Sequence, residues 1–112
     1  MKTVLTLVVF LSFINSGHSQ VVATTNNGAY ANVKVYFTNN CAYADLVVYV
    51  TENASYAQGG NNGTWAFTNN TSYADKVIFY VSNAAYADLT ICETNNPSYA
   101  GWKNTEKSYL MR

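Results

Sequence analysis

The chain has 112 residues, six basic and six acidic, and its formal charge is zero. With no basic tract, the clustered phosphate contacts of a nucleic-acid binder are excluded as a reading. The single histidine, His18, lies in the N-terminal segment, so the rest of the chain lacks the base of a Ser-His-Asp or Cys-His pair.

Lys2 is followed by an apolar run from Val4 to Ile14 and by small polar residues from Asn15 to Ser19. This is the layout of a secretory signal peptide over 1–19, with Gly17 and Ser19 as the small residues before the cut. The run is too short to cross a bilayer comfortably, and no later stretch predicts a membrane span. The expected product is secreted or periplasmic.

Residues 20–32 read as a lead-in, either a loose arm or a first edge strand. From Val33 to Arg112 the chain reads as one repeat-built domain. Its mark is a Tyr-Ala pair, at Tyr30, Tyr43, Tyr56, Tyr73, Tyr86 and Tyr99, spaced by 13, 13, 17, 13 and 13 residues. Runs rich in strand formers fall between the pairs: Val33 to Thr38, Leu46 to Thr51, Trp65 to Thr68, Lys76 to Val81 and Leu89 to Thr94. Each stops at an Asn-containing turn; Asn40, for example, is placed to cap one helical turn over Cys41 to Ala44. Gln58 to Gly63 holds the four extra residues of the longer unit and reads as an exposed loop. The tail from Gly101 leaves the pattern, and Trp102, Tyr109, Leu110 and Met111 are expected to close an open end of the core.

A 13-residue strand-turn unit cannot bury its apolar face alone, so successive units must pack on one another. The fold class is mostly β, with short helical turns. The pattern alone leaves two arrangements open, a short solenoid and a closed, interwound unit. Cys41 and Cys92 predict one disulfide in an oxidising compartment, with two buried free thiols as the alternative.

The units KVYFTNNCAYADL and KVIFYVSNAAYADL, the single longer unit and the closing Ala100-Gly101-Trp102-Lys103-Asn104 resemble the septoil knot domain, a small bacterial domain of unknown function. The resemblance runs from about Val33 to Met111. It implies an interwound, deeply knotted single domain and brings no activity, cofactor or catalytic residue. The chain departs from the family pattern in its signal peptide, its few lysines and its tyrosine where many relatives carry glutamine.

Asp45, Asp75 and Asp88 recur at one unit position. Calcium ligation or a glycosidase acid pair are the chemical readings; a turn cap or backbone acceptor is the stronger one. The repeated tyrosines are expected as spacers packed at the core rim, and Trp102 as a core plug. Trp65 with Asn61 and Asn62, beside the glycine-rich loop, is the candidate ligand-binding group, because loops on a rigid scaffold often bind. Glycosylation triplets begin at Asn53, Asn62, Asn69 and Asn70. No cofactor is expected. The functional expectation is a non-enzymatic secreted binding or structural module, with glycans or cell-surface proteins as partners; a small secreted hydrolase or hydrolase inhibitor is the alternative.

Overall fold

A computed structural model describes residues 20–52 and 61–112. The signal peptide expected over 1–19, and Tyr56 with most of the glycine-rich loop, lie outside the described residues.

Among the described residues seven strands form one sheet: β1 (Gln20–Thr24), β2 (Val33–Phe37), β3 (Leu46–Val50), β4 (Thr64–Phe67), β5 (Lys76–Tyr80), β6 (Leu89–Glu93) and β7 (Gly101–Trp102). The spatial order is β4-β1-β5-β2-β6-β3, and β3 also pairs with β4, so the first six close into a parallel ring. The sheet is therefore a barrel, not an open solenoid. Residues 20–32, expected as a loose arm or edge strand, form a complete first unit, with β1 paired on both sides.

The order of strands around the ring shows how the chain travels. β1, β2 and β3 take alternate places on a first lap, and β4, β5 and β6 fill the gaps on a second. Every pairing within the ring joins a first-lap strand to a second-lap strand. Between β3 and β4 the path advances by one place instead of two, which lets the second lap interleave with the first. The four extra residues of the longer unit fall at that step.

The strands are strongly staggered. The first half of β1 pairs with the end of β4, and its second half with the start of β5. Following the register once around the ring returns to β1 displaced by about twelve residues. Six strands with that shear tilt by roughly 55° to the barrel axis, steeper than most barrels. Such a shear also brings one inward side chain from every strand to the same level.

The middle level is Val22, Val35, Val48, Trp65, Ile78 and Ile91, all at most 3% exposed. Towards the strand starts, Val33, Leu46 and Leu89 continue the core. There the tail closes the barrel: Met111 is fully buried, and Leu110 and Trp102 pack beside it. The Gln20 side-chain amide donates to the Met111 carbonyl. Tyr109, expected in the same closure, is 60% exposed; the 3-10 segment Thr105–Met111 turns it outward.

Gly63 stands at the start of the second lap with φ of 89°, and a Cβ there would meet the Val47 carbonyl oxygen at 2.6 Å and the Gly101 nitrogen at 2.8 Å. Both obstacles are backbone, so neither can rotate away. Gly63→Ala should lower the unfolding free energy by about 2–4 kcal/mol, from positive-φ strain plus the clash. Urea denaturation followed by far-UV circular dichroism checks this; a loss below about 0.5 kcal/mol would contradict the close approach.

Candidate functional site

One turn chemistry is repeated at the end of nearly every strand. In the Thr-x-Asn turns, the threonine hydroxyl accepts from the asparagine amide two residues on, at Thr25, Thr38, Thr68 and Thr94. The Oδ1 of Asn27, Asn40, Asn70, Asn83 and Asn96 then accepts from the amide two residues further. Capping of this kind satisfies an orphan amide at the start of a helical turn. In four of these five turns a 3-10 turn follows, over Gly28–Tyr30, Cys41–Tyr43, Ala84–Tyr86 and Pro97–Tyr99.

The residue after four of the Tyr-Ala pairs ties one lap to the other. Asp75 donates its amide to the Val21 carbonyl, and its carboxylate accepts from the Val21 amide at 2.9 Å. Asp88 does the same with Lys34, and Asp45 with Thr90. Asn32 makes the same clamp on Val77 through its Oδ1. The side chain thus acts as one more rung of the ladder. This accounts for the recurring aspartates as backbone acceptors. Among the described residues no group of three or more His, Cys, Asp or Glu is arranged to hold a metal ion.

Asp45 carries a second load. Its carboxylate meets Lys107 at 3.3 Å and accepts from the Asn104 side chain, while its carbonyl accepts from the Lys103 and Asn104 amides. The tail is anchored at this point. Nearby, Cys41 and Cys92 form a disulfide with Cα atoms 5.3 Å apart. Cys41 sits on a first-lap turn and Cys92 on the outer face of β6, so the bridge joins the two laps. The turn one unit earlier places Gly28 against the Phe79 ring in the matching register. The outer faces of the strands are thus covered by turns, by ring-on-glycine packing in one place and by a covalent bond in the next.

The tyrosines are not packed at the core rim. Tyr30, Tyr43, Tyr73, Tyr86 and Tyr99 are 69–76% exposed. The alanine after each is half-buried or, at Ala44, 6% exposed, while the tyrosine is turned into solvent. One open groove of about 400 Å³ is lined by Thr25, Tyr30, Thr71 and Val77, between two such turns.

The expected ligand-binding residues are engaged within the fold itself. Trp65 is fully buried in the middle level of the barrel, so it is not a free surface contact. Its register with Val35 was legible from the 13-residue repeat and points to this place. Asn61 donates its side-chain amide to the Ser108 carbonyl and accepts from the Trp102 indole. The Asn62 Oδ1 accepts from the Thr64 amide. These two asparagines secure the entry to β4 and the tail. Trp102 is half-buried against the core, as expected of a plug.

Past Trp65, towards the strand ends, the barrel has a mouth lined by Phe37, Val50, Phe67, Tyr80 and Glu93. Burial raises the Tyr80 hydroxyl above its ordinary value of 10.0, and the Glu93 carboxylate adds to the rise. The sequence reading missed this mouth, although its residues recur at one position of the repeat.

The clamps predict that Asp88→Ala costs about 0.5–1.5 kcal/mol, for a lost hydrogen bond at an exposed site. Asp88→Asn should cost much less, because Asn32 performs the same task; equal losses in thermal melts would refute the rung role. Tyr80 should titrate above 10.0 by ultraviolet difference absorbance, and Glu93→Gln should bring it down without reaching 10.0. The folded state holds this proton more tightly, so its contribution is intact below 10.0 and is lost as pH rises through the folded value.

No curated protein matches the chain significantly, and no solved structure does. No helix among the described residues is long and apolar enough to cross a membrane. The family comparison is positive: the model of the 7(1) septoil knot domain matches residues 18–103. With the match covering most of the chain, and with the closed β unit built from 13-residue repeats now in view, the protein belongs to the septoil knot domain family.

Proposed function

We propose that the protein is a secreted, non-enzymatic binding module that recognises glycans of a cell envelope through its ring of exposed tyrosines. The observation that carries this reading is the repetition itself: five tyrosines at one unit position, each 69–76% exposed, each on a capped turn. A phenol ring stacks its face on the apolar side of a sugar and offers a hydroxyl at its edge. The turns hold the rings at fixed spacing, which lowers the entropy lost on binding. Repetition gives weak single contacts a route to useful strength through avidity on a repeating polymer.

The groove beside Tyr30 supports the same reading, because Thr25 and Thr71 place hydroxyl-bearing side chains next to the ring and to Val77. The disulfide suits an oxidising compartment, and the apolar N-terminal run suits export. These are the supports for a secreted or periplasmic location.

The test is a glycan and cell-envelope array probed with the purified chain from Gln20 onward. Wild type is compared with the double variant Tyr30→Ala/Tyr73→Ala and with Tyr109→Ala, which lies outside the repeat. Binding to a repeating polysaccharide should fall by at least tenfold in the double variant, on the order expected when two of several linked contacts are removed. It should change little in Tyr109→Ala. A blank array, or equal binding by all three proteins, would overturn the proposal.

A further inference from the structure

The two ends of the barrel differ. At the strand starts the tail inserts Met111 and seals the core. At the strand ends nothing among the described residues covers the next level of inward side chains, which are Thr24, Phe37, Val50, Phe67, Tyr80 and Glu93 by register. Phe37, Phe67 and Tyr80 are 43%, 43% and 45% exposed, although the preceding inward residue of each strand is fully buried. Beneath them, Trp65 meets Phe67 edge to face with centroids 6.2 Å apart. Glu93 is the acidic member of the level, and its carboxylate lies close enough to Tyr80 to act on the hydroxyl. The Trp65 indole N–H, fully buried beneath the mouth, has no acceptor among the described residues.

We infer that this mouth binds an organic ammonium ion, with the head group against the faces of Phe37, Phe67 and Tyr80 and its charge opposite Glu93. Rings attract cations through the negative charge of their faces, and a quaternary ammonium suits them best because its methyl groups are weakly hydrated. The alternatives fit less well. An anion would be repelled by Glu93. A neutral apolar group would cover the carboxylate and leave it without water or a partner. A second copy docked mouth to mouth would bring two Glu93 carboxylates together. Size sets the depth: the recess over Trp65 holds about 30 Å³, room for only one or two waters. The cation is therefore seated at the rim, and a water in the recess can accept from the Trp65 N–H. This site is separate from the tyrosine ring and does not depend on the glycan reading.

The experiment is a titration of the nitrogen-15-labelled chain from Gln20 onward with choline and with its neutral isostere 3,3-dimethylbutan-1-ol. The reporters are the two indole N–H signals. Trp65 lies under the mouth, whereas Trp102 is tied to Asn61 at the other end. Choline should shift the Trp65 signal saturably, with at least tenfold tighter binding than the isostere, and leave Trp102 in place. Glu93→Gln should weaken choline binding at least tenfold and affect the isostere little; an unchanged Trp102 signal shows that the variant is folded. Equal binding of the two compounds, indifference of choline binding to Glu93→Gln, or no saturable shift of Trp65 would each overturn the inference.

Discussion

The structure depends on one constraint: within the ring, every strand hydrogen-bonds to strands of the other lap. β1, β2 and β3 never pair with each other, and neither do β4, β5 and β6. A buried strand cannot leave its amides and carbonyls unpaired. The first lap therefore has no stable sheet until the second has threaded between its strands. The cross-lap clamps of Asn32, Asp45, Asp75 and Asp88 and the Cys41–Cys92 bridge all act on this same seam. Almost all of the sheet's contacts are remote in sequence, the kind of topology that folds slowly.

The repeat converts that constraint into two different surfaces. At the turns, the alanine faces the sheet, the residue after it crosses to the neighbouring lap at four of them, and the tyrosine before it stands in solvent. At the mouth, the inward row simply runs on past the end of the packed core. The first surface is wide and repeated; the second is single and carries a charge. The other end offers neither, because the tail fills it. A small barrel with this shear has side chains from all six strands at each level, so one substitution at a level changes a sixth of its lining. Trp65 in the middle level and Glu93 in the outer one show how the near-identical units still give an asymmetric interior.

Much of the fold was legible in the residues. The runs between Tyr-Ala pairs became strands at nearly the expected bounds, because β-branched and aromatic residues recur there and Asn turns end each run. Asn40 capped its turn as anticipated, and the aspartates proved to be backbone acceptors. Tyrosine misled because a large ring next to alanine looks like rim packing, while the exposed face of a 3-10 turn leaves no periodic signal over three residues. Trp65 misled for a different reason: its nearness to a glycine-rich loop outweighed its register with Val35.

The unit, its strand and capped turn, the cysteine pair and the family likeness could all be read from the residues, since each depends on local propensity or on spacing along the chain. That the units close into a ring, which strands are neighbours, and which of the two strand faces looks inward at each level emerge from the folded arrangement alone. Those outcomes follow from pairing between residues 45 or 54 positions apart, and 15 apart where β3 meets β4 to close the ring. No local pattern encodes that register. It is fixed by the need to bury one apolar row from every strand at the same level while satisfying every backbone group between the two laps.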